Sequence, residues 1–247
     1  ATTMNRDKNS YVLIYAAVMV ILAAVLLAGA AIVLRPAQQE NANIDKMQQI
    51  LRALGQSPDK SAVISTYKDL IKKELLVNEE GQVVKTFEGE EVGKSDAFNA
   101  NTELSYKLIA KGEKQDLPVY VAEVNGKTLY VLPLNGAGLW NKIWGYIAID
   151  AADHSTVDGA DFGNAGETPG LGAEISTPHF SAQFKGKHIF REGAFTGIAV
   201  VKNGQKVEDK DYVDGISGGT LTSNGVNDML AASLKPFQKF LETYNAQ

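Results

Sequence analysis

The longest uninterrupted pattern in the chain is apolar. Residues 11–34, YVLIYAAVMVILAAVLLAGAAIVL, run for 24 positions without a charge and are closed by Arg35 and Pro36. As a helix rising about 1.5 Å per residue, this run reaches about 36 Å, enough to cross a hydrocarbon layer of about 30 Å with some tilt. A cleaved signal peptide ending near Ala28-Gly29-Ala30 is the alternative, but its apolar core runs only about 7 to 15 residues. A retained transmembrane helix in contact with membrane lipid is therefore predicted, with Tyr11 and Tyr15 near one interface. Arg6 and Lys8 precede the span and only Arg35 lies in the ten residues after it, which points to an N-terminus inside. Met4 is a candidate native start.

Beyond the span the period becomes helical. Asn43 is placed to cap a helix in which Ile44, Met47, Ile50, Leu51 and Leu54 share a face and Gly55 supplies the stop. A second amphipathic helix is predicted from Val63, Ile64, Tyr67, Leu70, Ile71 and Leu75. The charges between Lys68 and Glu74, and the acidic cluster of Glu88, Glu90 and Glu91, read as solvated faces. From 117 the pattern turns extended. Residues 117–124 and 128–134 are rich in β-branched and aromatic side chains and flank Asn125-Gly126, a hairpin signal. Residues 144–150, 157–162 and 195–202 read as further strands, the last followed by a turn at Asn203-Gly204. A final helical run, 226–241, breaks near Pro236. The pattern predicts an α+β chain: one N-terminal transmembrane helix, then a soluble domain with a largely antiparallel sheet and flanking helices. It divides as 1–10 tail, 11–34 transmembrane helix, 35–115 linker and membrane-proximal helical region, and 116–247 sheet-bearing domain.

Composition narrows the chemistry. A net charge of −5 argues against a nucleic-acid partner. No cysteine is present, which excludes disulfides and Cys-ligated iron-sulfur clusters within the chain. His154, His179 and His188 have no ligand-like spacing, so no metal site is predicted. Gly136-Ala137-Gly138 lacks the third glycine of a dinucleotide fingerprint, since position 141 is Asn, and no NADH site is expected there.

The candidate chemistry sits in glycine-rich loops. Residues 214–223, DGISGGTLTS, stand just before the last helical run, where backbone N–H groups and a helix N-terminus can hold an anion. Gly218 and Gly219 let a bulky partner approach Thr220. The same loop also reads as a simple cap in which Thr222 or Ser223 starts the helix. Residues 167–172, Glu-Thr-Pro-Gly-Leu-Gly, read either as a surface loop without a ligand or as a platform for a flat ring. In the second reading Pro169 fixes a turn, Gly170 and Gly172 permit close approach, Leu171 gives an apolar face, and Glu167 and Thr168 offer polar contacts. Trp140 and Trp144 read as core residues, with Trp140 the candidate to neighbour a ring. A serine hydrolase built on Ser217 lacks the Gly-x-Ser-x-Gly context and an assignable histidine base.

The loop at 214–220 resembles the flavinylation signature of the sodium-pumping NADH:quinone oxidoreductase and its ferredoxin-linked relatives, Asp-Gly-x-Ser/Thr-Gly-Ala-Thr. Asp214, Gly215, Ser217, Gly218 and Thr220 match, and Gly219 replaces the Ala. The Glu-Thr-Pro-Gly-Leu-Gly loop and LPLNGAGLW at 132–140 are similar to those of the sodium pump's covalent-FMN (C-type) subunits. The G-type subunits of the ferredoxin-linked complex share the anchor, the flavinylation loop and a similar Glu-Thr-Pro-Gly loop; LPLNGAGLW favours the C-type family. The resemblance implies FMN joined by its phosphate to Thr220 by a flavin transferase, with Thr222, Ser217 and Ser223 as competing acceptors. Asp214, Ser217, Gly218, Gly219, Leu221, Thr222, Glu167, Thr168, Pro169, Gly170, Leu171 and Trp140 would surround it, making 116–247 an FMN-binding domain. It further implies electron transfer from an iron-sulfur centre in membrane subunits, through this FMN, to a second FMN on a neighbouring (B-type) subunit and then to quinone. No catalytic residue of this chain is required. The setting is the bacterial inner membrane, with the domain on the periplasmic side. A membrane-tethered, non-redox binding module is the rival.

Overall fold

The computed structural model describes residues 9–244. Arg6, Lys8, the candidate start at Met4 and most of the 1–10 tail lie outside the described residues. The chain divides into two compact units, 1–45 and 46–247. In the first, helix α1 (Asn9–Ala53) takes in the whole apolar run, whose side chains are exposed, and continues through Pro36 into the second unit. The helix expected to start at Asn43 is thus the end of α1. No backbone donor is released at 43 for a cap, because the preceding turns already supply the acceptors.

The second unit is built on one sheet. After α2 (Val63–Leu70) the chain runs directly into β1 (Ile71–Val77), then β2 (Val83–Glu88), the short helix α3 (Asp96–Asn99) and α4 (Thr102–Ile109). The strands β3 (Leu117–Val124), β4 (Lys127–Ala137), β5 (Lys142–Asp150) and β6 (Val157–Asn164) follow. They form a six-stranded sheet in the order β2-β1-β3-β4-β5-β6, with every pairing antiparallel. The helix predicted across Val63 to Leu75 is therefore cut at Leu70. From Ile71 onward, pairing with β3 on one side and β2 on the other overrides the helical spacing of the apolar residues.

Asn125 and Gly126 join β3 to β4, both with positive φ, 51° and 78°, the conformation that lets a two-residue turn follow strand twist. Helix α5 (Pro178–Ala182), the short strands β7 (Phe190–Arg191) and β8 (Ala194–Phe195), and the parallel pair β9 (Ile198–Val201) and β10 (Asp211–Asp214) precede the last helices. These are α6 (Thr220–Leu234) and α7 (Gln238–Thr243), separated by a 3-10 turn at Lys235–Phe237 around Pro236.

Both faces of the sheet are covered, which is why β3 reads as a nearly continuous apolar run. On one face Leu75, Val119, Val121, Leu132, Ile147 and Phe162 pack with Val226, Leu230 and Leu234 of α6 and Phe180 of α5. The other face holds a polar centre. Glu74, expected on a solvated face, is fully buried. It accepts from Tyr67 Oη at 2.7 Å, Gly93 N at 2.9 Å and Ser95 Oγ at 2.5 Å. Strand alternation turned it inward, and three donors make the buried carboxylate tolerable. Lys46 lies over the Phe98 ring and donates to the Phe98 carbonyl. Burial pulls its ammonium down to about 8, against the opposing pull of Glu74.

The end of α1 is tied to β5 and β6 by side chains. Gln49 Oε1 accepts from Trp144 Nε1 at 2.9 Å, and Arg52 reaches Asp161 through two bonds of 2.9 Å. Burial raises the Asp161 carboxyl above its ordinary range although Arg52 pulls it down, so desolvation outweighs the ion pair. Arg52→Met strips Asp161 of its donors. Because the Arg52 side chain is 37 % exposed, the expected loss is about 2 kcal/mol at neutral pH, below that of a fully buried pair. Denaturant unfolding at pH 7 and at acid pH checks this, and the loss shrinks in acid as Asp161 is protonated.

Candidate functional site

Three segments far apart in sequence meet at one carboxylate. The first is the tip of the β4–β5 hairpin, where Gly138 N donates to Asn141 O at 2.8 Å and turns the chain between Ala137 and Lys142. Trp140 stands at this tip, 69 % exposed, with Leu139 exposed beside it. The second follows β6. Asn164 Oδ1 accepts from Gly166 N at 3.2 Å and Glu167 N at 3.0 Å, and its Nδ2 donates to Ser176 Oγ at 2.9 Å. This local wrap aims the Glu167 side chain inward. Thr168, Pro169, Gly170 and Leu171 arch outward and are exposed, closed by Leu171 N and Ala173 N donating to Thr168 O, both at 3.1 Å.

The third segment links β10 to α6. Gly215 N donates to Val201 O at 2.7 Å, and Gln183 clamps Asp214 by accepting from its N–H at 2.9 Å and donating to its carbonyl at 3.2 Å. Gly218 takes φ 76°, which a side-chain-bearing residue adopts only with strain. Ser223 Oγ reaches back to accept from Ile216 N at 2.9 Å, and Ser223 N donates to Gly219 O at 2.9 Å. These bonds start α6 at Thr220, ahead of the apolar periodicity that begins at Val226. Its N-cap Gly219 supplies no side-chain cap, and no acidic residue lies in its first turn.

Glu167 joins the three. It is 5 % exposed; Oε1 accepts from Trp140 N at 2.9 Å and Asn141 N at 3.4 Å, and Oε2 accepts from Thr222 Oγ1 at 2.5 Å. Burial raises its carboxyl, but the bonds from Thr222 and from the backbone of the hairpin tip outweigh it and hold the group below its ordinary 4.5. The approach is close enough to need glycines. A Cβ on Gly138 would stand 2.5 Å from Glu167 Oε1, and one on Gly172 would stand 2.7 Å from Oε2 and collide with Thr222 Oγ1. A Cβ on Gly225, inside α6, would strike Ala137 O.

The residues singled out from sequence are thereby brought to one place, with differing exposure. Ser217, Gly218, Thr220, Leu221, Thr168, Pro169, Gly170, Leu171 and Trp140 are exposed, Asp214 is half-buried, and Gly219, Thr222 and Glu167 are buried. The Glu167 carboxylate has both oxygens engaged inside the protein. Trp144 lies apart from this surface, its ring against Gly163 and its N–H on Gln49. Ser223, read as a cap or a competing acceptor, instead accepts from Ile216 N and is buried, while Asn164, Gly138 and Gly225 were not legible as site residues. The Asn-x-Gly-Glu spacing, which favours a side-chain turn, is the one signal that pointed to Asn164. A solvent-open groove of about 740 Å3 between the end of α1, β6 and α5 is lined by Trp144 and Gly163 and meets the site at Asn164 and Ser176.

A model of the FMN-binding domain family matches residues 138–235, a stretch containing Trp140, the Glu167 loop and Thr220. NqrC of Haemophilus ducreyi, the C-type subunit of its Na(+)-translocating NADH-quinone reductase, is 31 % identical over 91 % of this chain and 89 % of its own length. That of Vibrio vulnificus is 34 % identical over 82 % of this chain and 81 % of its own. The chain belongs to the NqrC family. The crystal structure of NqrC from Parabacteroides distasonis is 47 % identical, covers 86 % of this chain and 98 % of that one, and superposes with a TM-score of 0.75. NqrC from Shewanella oneidensis is 26 % identical, covers 82 % of this chain and 99 % of that one, and gives a TM-score of 0.63.

In this NqrC fold, Glu167 stabilises the native state above about pH 4.5, where its unfolded counterpart is already ionised, and that contribution fades as pH falls through its lowered folded value. Glu167→Gln is expected to cost about 2 kcal/mol at neutral pH, with the deficit closing as pH falls through the lowered folded value, as read by denaturant unfolding across pH. Gly172→Ala is expected to destabilise by about 1–3 kcal/mol in the same assay, because neither the Thr222 hydroxyl nor the carboxylate can yield without breaking their bond.

Proposed function

We propose that this chain is an electron-transfer subunit of a membrane-bound, sodium-pumping NADH:quinone oxidoreductase and carries FMN in phosphoester linkage to Thr220. One observation carries the linkage: of the four hydroxyls in the loop, Thr222 and Ser223 are buried and bonded, while Thr220 is exposed at the open end of α6. Ser217 is also exposed but precedes Gly218, outside the helical turn. The N–H groups of 220–222 fall in the first turn, where no intrahelical acceptor exists, and no side chain caps them. A phosphate on Thr220 meets these donors and the positive end of the helix dipole, a stabilisation of about 0.3–1 kcal/mol.

FMN held in this way supplies one- and two-electron transfer from a ring that the linkage leaves unaltered. The chain's residues bind and orient. Leu171, Leu221 and Trp140 present exposed apolar surface to a flat ring, and Thr168 offers a hydroxyl beside it. No side chain of this protein has to donate a proton or attack. A flavin transferase attaches the cofactor, and electrons arrive from an iron-sulfur centre in the membrane subunits and leave to a second FMN on a neighbouring subunit, then to quinone.

The anchor supports a single-pass position in the bacterial inner membrane, and the charge bias around residues 11–34 supports an inside N-terminus with the domain on the periplasmic side. No charge lies within 11–34, so the sodium path belongs to other subunits.

Intact-mass analysis of denatured protein co-expressed with a flavin transferase tests the reading. Wild type is expected to gain the mass of one FMN less a water, and Thr220→Ala to gain nothing. An unmodified wild type, or a Thr220→Ala variant that keeps the flavin, overturns it.

A further inference from the structure

A loop with four hydroxyls needs a rule that selects one. Ser223 is withdrawn by its bond to Ile216 N, and Ser217 lies outside the helix. Thr220 and Thr222 remain, two residues apart in the same first turn and alike in chemistry. What separates them is Glu167. An ionised carboxylate only accepts, so Thr222 Oγ1 must donate its proton to Oε2, and that hydroxyl is 2.5 Å from the carboxylate on a residue 1 % exposed. The carboxylate cannot turn away with it, because Oε1 is held by the N–H groups of Trp140 and Asn141. Gly172, lacking a Cβ, leaves the room in which the Thr222 hydroxyl meets Oε2.

The geometry points to Glu167 as the specificity-determining positioning residue for flavin attachment: by holding the Thr222 hydroxyl inside, it fixes the first turn of α6 so that, of the two threonines, Thr220 alone is presented. This rests on the phosphoester reading given above. In the attachment step, Thr220 Oγ bonds to the phosphorus of the FMN half of FAD and the P–O bond to the AMP half breaks. AMP leaves with the bridging oxygen, and the hydroxyl proton passes to solvent. Glu167 touches none of the reacting atoms.

The full chain, co-expressed with the transferase, is compared as wild type, Glu167→Gln, Thr222→Val and Thr222→Ser. Peptide mass mapping reads the modified residue, a time course reads the attachment rate, and a thermal melt reads the fold. Wild type and Thr222→Ser, which keeps the donor, are expected to carry flavin on Thr220 alone at the same rate. Glu167→Gln and Thr222→Val are expected to slow attachment at Thr220 about tenfold, the effect of a small misplacement of a reacting group. Glu167→Gln is further expected to show flavin on Thr222. The inference is overturned if either cooperatively folded variant is modified on Thr220 alone at the wild-type rate. An unmodified wild type would instead overturn the linkage itself.

Discussion

A carboxylate buried within a loop cluster is unfavourable unless each oxygen is given donors, and Glu167 obtains them from two other parts of the chain. That requirement organises the site. The hairpin tip has to bring the Trp140 and Asn141 N–H groups to one oxygen, and the first turn of α6 has to bring the Thr222 hydroxyl to the other. Neither contact forms unless β4, β5 and β6 are paired in register and α6 lies against β4. The sheet supplies the first condition through the continuous β4–β5–β6 ladder. The second comes from Val226, Leu230 and Leu234 in the core and from Gly225 and Gly136, where α6 and β4 approach so closely that a Cβ at either position would collide.

The sheet's other face repeats the device with Glu74, again buried, again satisfied by hydroxyls and a backbone N–H, and again drawn from separated segments. The end of α1 is held separately, with Lys46, Gln49 and Arg52 reaching Phe98, Trp144 and Asp161. Trp144 packs its ring on Gly163, the residue before Asn164, whose side chain sets the direction of Glu167. The fixed end of the anchor helix and the Glu167 loop are thus joined through a short series of packed and hydrogen-bonded groups on β5 and β6.

The parts of this fold that were legible in the sequence depended on local chemistry. The bounds of β3 follow from its β-branched run, and the Asn125-Gly126 turn from its need for two positive φ values. The break at Pro236 follows from a lost donor. Where the pattern misled, a long-range partner decided. Ile71 and Leu75 keep helical spacing yet form a strand, because β3 was available to pair with them. Glu74 lies among charges and reads as solvated, because nothing local reveals the Tyr67 hydroxyl that meets it. The apolar periodicity starts the last helix at Val226 because Thr220 to Gly225 has poor helical propensity; bonds through Glu167 and Ser223 override that weakness. Gly172 was legible as room for a flat ring to approach, and Gly138 and Gly225 were not legible as site residues at all. Their actual use, at Gly138, Gly172 and Gly225, is the space a missing Cβ leaves.

The same constraint bears on the phosphoester proposed at Thr220. An open helix end without a cap or an acid in its first turn has unmet donors and partial positive charge, which a bound phosphate satisfies without any further side chain. Around it, Trp140 at 69 %, Leu221 at 59 %, Leu139 at 47 % and Leu171 at 42 % exposure are large apolar groups left in water on the three converging segments. Scattered singly, such residues carry no meaning; set on the three segments that meet at Glu167, they give the outer side of the site an apolar character. The charge that could have disturbed this surface, the Glu167 carboxylate, is turned inward and satisfied by its donors, so the outer face offers neutral hydroxyls at Thr220, Ser217 and Thr168 beside its apolar groups. The proposed ligand, a phosphate joined to a flat aromatic ring, has a part for each.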